Sequence, residues 1–169
     1  VYLGKVGREL KQRVLQEANR LDITVLDKDL VWPSPTGVDE IRGVLLGLNL
    51  LDECCRRLFA AHTAVRGQDP AAMGLRAITS LRLDDRRSGR QPVRAVRPGE
   101  VDLRDVLTQG RLTFQFQCDP PTALQFFELC RQPGKTLVLE PFTISQPSKP
   151  GEPVTVKGTL VGITFQEKN

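Results

Sequence analysis

From Leu3 to Leu21 apolar residues recur at Leu3, Val6, Leu10, Val14, Ala18 and Leu21, with Lys, Arg, Gln and Glu on the other face. A spacing of three or four places them on one stripe of a helix. Gly4 and Gly7 weaken its first turns, so the helix is expected to be firmest from Arg8 onward. ITVLDKDLVWPSP then reads as extended chain that ends at prolines. Val38 to Val65 predicts a long central helix, with Ile41, Val44, Leu45, Leu48, Leu51, Cys55, Leu58, Phe59 and His62 on a stripe widened by Leu46 and Leu50. Thr36 or Gly37 is placed to cap it, and Asp39 and Glu40 suit the positive end of its dipole. LRAITSLRLDD alternates and then shifts phase, which predicts a strand carrying a bulge.

In the second half, RLTFQFQC alternates strictly, with Leu112, Phe114, Phe116 and Cys118 on one face and Thr113, Gln115 and Gln117 on the other. Pro121 to Gln132 predicts a helix, with Asp119 near its start and proline tolerated in the first turn. TLVLEPFTIS and PVTVKGTLVGITF predict two strands joined through the turn-rich QPSKPGE in an antiparallel hairpin. Residues 86–110 carry Gly, Pro and Arg with little periodicity, apart from a short turn at Val101–Leu107, and read as a long basic connection. The order of elements predicts an α+β ferredoxin-like sandwich: an antiparallel sheet with helices on one face, preceded by an N-terminal helix. Residues 1–21 would form that helix, as the end of an upstream coiled coil or as a helix packed on its own sheet, and 22–169 the ferredoxin-like domain.

The length of 169 residues suits one folded unit with a real core. A formal charge of +4 leans basic, but the surplus sits largely in the arginine-rich connection, so the charge is local. No stretch approaches the ~20 apolar residues needed to span a bilayer, and VYLGKVGREL has no signal-peptide pattern. The chain opens on Val1 rather than Met, as a piece of a longer protein would.

Four cysteines are too few for a disulfide scaffold and form no CxxC pair. Cys118 continues an inward strand face and Cys130 an inward helix face, about 14 Å of helix apart at ~1.5 Å per residue, whereas bonded Cα atoms lie within ~7 Å. Cys54 and Cys55 are helix neighbours whose side chains diverge. All four are therefore assigned to packing. A single histidine, His62, rules out a polyhistidine metal site and is assigned a structural role. Asp84 and Asp85 sit among arginines and read as surface ion pairing. PGKT at 133–136 lacks the earlier glycine of a phosphate loop and follows a helix instead of preceding one. No catalytic, metal or cofactor site emerges, and no small-molecule substrate is implied.

LTFQFQCDPPTALQFFELCRQPGKTLVLEPFTIS…VTVKGTLVGITF resembles the C-terminal half of the PilO family of type IV pilus assembly proteins. The shared pattern is a strand leading into a short helix with an apolar pair, here Phe126 and Phe127, followed by two strands of which the last alternates. The helix and LDITVLDKDLVW, followed by GVLLGLNLLDECCRRL, resemble the other half of the same domain. The pattern is also similar to the GspM proteins of type II secretion and to PilO-like proteins of planctomycete and verrucomicrobial bacteria. The resemblance implies a non-catalytic scaffold: the periplasmic domain of an inner-membrane protein, anchored by an upstream segment, that forms homodimers or pairs with a related subunit. Leu3, Val6, Leu10 and Val14 are the candidate partner contact, and strand edges offer a second route. The alternative is a nucleic-acid-binding domain of RNA-recognition type using Arg82 and the loop residues Arg86, Arg87, Arg90, Arg94 and Arg97. Against it, Phe114 and Phe116 share their face with Leu112 and Cys118 and so should lie under the helices.

Overall fold

The computed structural model describes residues 2–84, 107–131 and 137–165. Helix α1 runs unbroken over Tyr2–Arg20, so the early glycines do not delay its start. Gly7 has a packing reason: a Cβ there would lie 3.0 Å from the Cζ2 atom of Trp32. The helix ends in a Schellman turn, with Asp22 in the left-handed region at φ 59°. Its N–H bonds to the Asn19 carbonyl, and the Ile23 N–H reaches the Ala18 carbonyl at 2.8 Å.

The extended segment that follows resolves into two short strands, β1 (Thr24–Val25) and β2 (Leu30–Val31), separated by a 3-10 turn at Asp27–Asp29. Helix α2 spans Val38–Gln68 with Gly37 at its N-cap. Thr36 contributes differently from a side-chain cap: its N–H and its hydroxyl both donate to the Glu40 carboxylate, which reaches back from the first turn. Strand β3 (Leu75–Leu83) shows register shifts between Leu75 and Ala77 and between Ile78 and Ser80, the bulging expected from its phase change.

Strand β4 covers Leu107–Cys118, four residues earlier in its start than the strict alternation marks. Asp119 caps helix α3 (Pro120–Cys130) by accepting from the Thr122 N–H at 3.0 Å. TLVLEPFTIS is broken at Glu140–Phe142 into β5 (Leu137–Leu139) and β6 (Thr143–Ser145), both paired with the long β7 (Val154–Phe165). Pro141 has no N–H to give to a ladder, which accounts for the interruption.

The expected α+β ferredoxin-type sandwich with an N-terminal helix is found, with one correction to the sheet. It is mixed rather than wholly antiparallel, because β1 and β2 run parallel to β3. The physical reason is the crossover: α2 carries the chain back along the covered face, and a strand that follows such a crossover re-enters parallel. The second unit differs. After α3 the chain returns at β5 and β6, and β7 slots between them and β4, antiparallel to both. Phe114 and Phe116 on β4 meet Phe126 on α3 edge to face at 5.6 and 5.2 Å between centroids, all three fully buried. Thr113, Gln115 and Gln117 occupy the uncovered face. Residues 85–106 and 132–136 lie outside the described residues, and with them the supposed turn before Leu107 and the PGKT segment.

Candidate interaction surfaces

The reactive side chains are consumed by the core. Cys54, Cys55, Cys118 and Cys130 are free and buried. Burial pushes the Cys118 thiol up to about 12 and the Cys130 thiol up to about 11, and raises Cys54 and Cys55 in the same direction. A thiol held protonated is a poor nucleophile and a poor ligand. Arg57, buried beside these helices, donates to the Leu129 carbonyl at the end of α3 and pairs with Glu53 at 3.3 Å, so it ties α2 to the negative end of α3. Among the described residues no group of three His, Cys, Asp or Glu side chains could hold a metal ion.

His62 and Asp119 form a structural joint at one end of the sheet. The Leu75 N–H donates to His62 Nδ1 at 2.9 Å, which leaves the proton of the neutral ring on Nε2. Asp119 accepts from the Gly74 N–H at 2.9 Å with one carboxylate oxygen and from the Thr122 N–H with the other, while its own N–H bonds to the Gly74 carbonyl. Gly74 sits at φ 70°, and a Cβ there would run into the imidazole, so two constraints select glycine. Desolvation, reinforced by Arg66, lowers the His62 pKa against the opposing pull of Asp119 and the Leu21 backbone. His62 Nδ1 and both carboxylate oxygens of Asp119 are thus engaged within the fold. Asp84 takes the ion-pairing role expected, lying 3.7 Å from Arg111 and accepting from the Thr113 hydroxyl, whereas Asp85 falls outside the described residues.

The candidate partner stripe divides. Leu10 and Val14 are buried in this chain's own core, against α2, whereas Leu3 and Val6 pack on the core only in part and Tyr2 is exposed. Leu10 and Val14 thus pack within this chain, where α1 lies on α2 and β1. The seam is reinforced by Arg13 with Asp52 at 2.8 Å, Lys11 with Asp27 at 3.3 Å, and the Lys11 ammonium 5.0 Å from the Trp32 ring. Beside it runs an open cleft of about 650 Å³ floored by Val14, Cys55 and Phe59 and rimmed by Arg13, Glu17 and Arg56.

Phe114 and Phe116 lie under the helices, which removes the aromatic platform that RNA recognition of this kind needs. Arg86, Arg87, Arg90, Arg94 and Arg97 lie outside the described residues. Arg82 is exposed on the uncovered face.

The two edges of the sheet were not separated by sequence reasoning. At one edge β1 and β2 are two residues each and are interrupted by Asp27, Lys28 and Asp29. At the other, Val138 of β5, Ile144 of β6 and Phe142 in the break between them are all exposed, and Leu124 of α3 is exposed one turn before Phe127. Phe142 stacks on Phe127 at 4.1 Å between centroids, and Ile144 sits opposite the buried Val156, so both lie on the helix side of this edge. The available signal was the uncharged run PFTISQPS bounded by prolines.

No protein-family model matches the chain, and no curated protein matches it. Solved structures share its fold. The core domain of a protein from Akkermansia muciniphila superposes with a TM-score of 0.63 at 11% identity, covering 98% of this chain and 87% of the other. A structure of an A. muciniphila protein without its transmembrane region gives a TM-score of 0.57 at 10% identity, over 99% of this chain and 86% of that one. Superposition on the type 4 fimbrial biogenesis protein PilO from Pseudomonas aeruginosa gives a TM-score of 0.43 at 13% identity, over 93% of this chain and 99% of the other. No helix among the described residues is long and apolar enough to cross a membrane.

Proposed function

We propose that this chain is a non-catalytic assembly domain of a cell-envelope protein of the PilO kind, anchored through a segment upstream and acting in the periplasm by pairing with copies of itself or a related subunit. The observation that carries the reading is the fold shared along nearly the whole chain with the A. muciniphila core domain, together with the likeness to a protein whose structure was obtained without its transmembrane region. The chemistry of the interior supports it. The thiols, the histidine and the capping aspartate are each committed to packing or to backbone hydrogen bonds, which leaves surfaces to carry function.

Burial of the thiols also suits an oxidising compartment, where exposed ones would be open to mixed disulfides. Alkylation of the native chain is expected to label none of the four cysteines, and labelling in denaturant all four. Sedimentation velocity over a wide concentration range, with cross-linking of the chain exported to the periplasm, tests the reading directly. A mass above the monomer, or a cross-link to an envelope subunit of similar fold, is expected. A strictly monomeric chain that cross-links to nothing in the envelope rejects it.

A further inference from the structure

His62 is the only histidine in the chain, and its ring joins three elements. It belongs to the last turns of α2 and is 5% exposed. The N–H of Leu75, the first residue of β3, donates to Nδ1 at 2.9 Å, and Leu75 is itself buried. A backbone hydrogen bond at Leu21, just past α1, holds the ring as well. The bond to Leu75 exists only while Nδ1 is an acceptor, that is, in the neutral ring. A protonated ring carries N–H groups on both nitrogens, so the Leu75 N–H would face a second donor in a buried place.

Two charged groups face the ring. Arg66, one turn further along α2, opposes the proton, and Asp119, ahead of α3, favours it. Asp119 is already committed, because its carboxylate accepts from the Gly74 N–H at 2.9 Å and from the Thr122 N–H at 3.0 Å. To neutralise an imidazolium it would have to release bonds that hold the same corner. The turn between α2 and β3 is the part best able to yield. Asp69, Pro70 and Ala71 are exposed. The turn is closed by the Ala72 N–H to the Asp69 carbonyl at 3.0 Å and by Arg66 to the Pro70 carbonyl at 3.3 Å. We propose that His62 is an acid-operated latch: its protonation breaks the bond to Leu75 and opens the 69–75 turn, while the sheet and the helices stay folded. The closed turn holds the ring neutral, so the open one takes up the proton first as pH falls. Below the free-histidine value of about 6.5, each pH unit favours the open turn by about tenfold. The latch rests on this joint alone and is independent of the assembly reading.

With one histidine in the 169-residue chain, the imidazole Cε1–H resonance titrates this ring alone. Amide exchange followed by NMR, corrected for the intrinsic effect of pH on exchange, reads the turn in the same samples. Between about pH 7.5 and 5.0, protection at Gly74 and Leu75 is expected to fall at least about tenfold. It should end well below that of Phe114 and Phe116 on β4, whose exchange waits on global unfolding. The ring is expected to titrate below its ordinary value, because protonating it requires the turn to open. His62→Asn places an amide oxygen where Nδ1 stood, an acceptor that takes no proton in this range, and should leave the protection of Gly74 and Leu75 independent of pH. A purely structural histidine gives another result: at about pH 5.0 both amides remain as well protected as Phe114 and Phe116, which overturns the latch. A ring that titrates at its ordinary value overturns it too, as does an equal loss of protection in a folded His62→Asn chain, which assigns the loss to Asp119. The first two readings need only the unaltered chain, so they decide the matter even where the variant does not fold.

Discussion

The two faces of the sheet are made from alternate residues of the same strands, yet they obey different rules. On the covered face of β4, Leu112, Phe114, Phe116 and Cys118 are fully buried and locked against α2 and α3. On the other face, one residue along, Thr113, Gln115 and Gln117 are only half-buried. Strand formation needs both sets, but the energy that fixes the fold is concentrated in one of them. The difference shows that sequence alternation locates the core more sharply than it locates any partner. It also removes Phe114 and Phe116 from consideration as a binding platform.

Substitutions on the two faces break or sharpen this contrast. The largest effect is expected from Phe116→Ala, which removes a ring held between Phe114 and Phe126 and should lower unfolding stability by about 3–5 kcal/mol. Chemical denaturation measures it, and a loss below 1 kcal/mol, on the order of a surface change, would mean that the covered face is not the core. Next comes Gly158→Ala on β7. Its added methyl meets the Phe114 ring at 2.8 Å and the Phe142 Cβ at 2.9 Å, so overpacking of about 1–3 kcal/mol is expected.

At the rim of the covered face, Asp119→Ala removes the α3 cap and the acceptor of the Gly74 N–H, for a loss of about 2 kcal/mol. Asn at the same position should recover part of it. A smaller effect comes from pH. The His62 pKa is lowered in the folded chain, so the unfolded chain binds the proton first as pH falls. The contribution of His62 is complete above its unfolded pKa of about 6.5 and declines as pH falls below it towards the folded value. Thermal melts at pH 7.5 and 5.5 should show that decline, and His62→Gln should reduce the part of it due to this residue. Smallest of all, Gln115→Ala on the open face is expected to change stability by less than about 0.5 kcal/mol.

The parts of the fold that the sequence discloses are those in which one residue's neighbours in sequence also determine its environment. The alternation through RLTFQFQC, the long stripe of α2 and the Asp119 start of α3 are all of this kind. What it leaves open depends on contacts distant in sequence. β1 and β2 are two residues each and exist as strands only through pairing with β3. Gly7 reads as a weak point in a helix until Trp32 is seen lying across it. The stripe Leu3–Val14 has the same periodicity whether it faces another chain or its own α2, and only the fold shows Leu10 and Val14 turned inward. The placement of β7 between β4 and β5 has no local signature, because a hairpin to β6 satisfies the same turn chemistry in several sheet orders.

The α1–α2 seam has a mechanical consequence. Its fastenings, Arg13 with Asp52 and the buried Val14, are joined by Trp32 over Gly7 and Lys11 with Asp27 from the β1–β2 segment, so that α1 is held over Gly7–Val14 from two sides. A tug on Tyr2 directed along the axis of α1 loads them together, in shear, and passes into the sheet through both α2 and the β2 segment. The same tug directed outward loads them one after another, as in peeling. A pull along that axis is therefore expected to meet more resistance than the same pull directed outward.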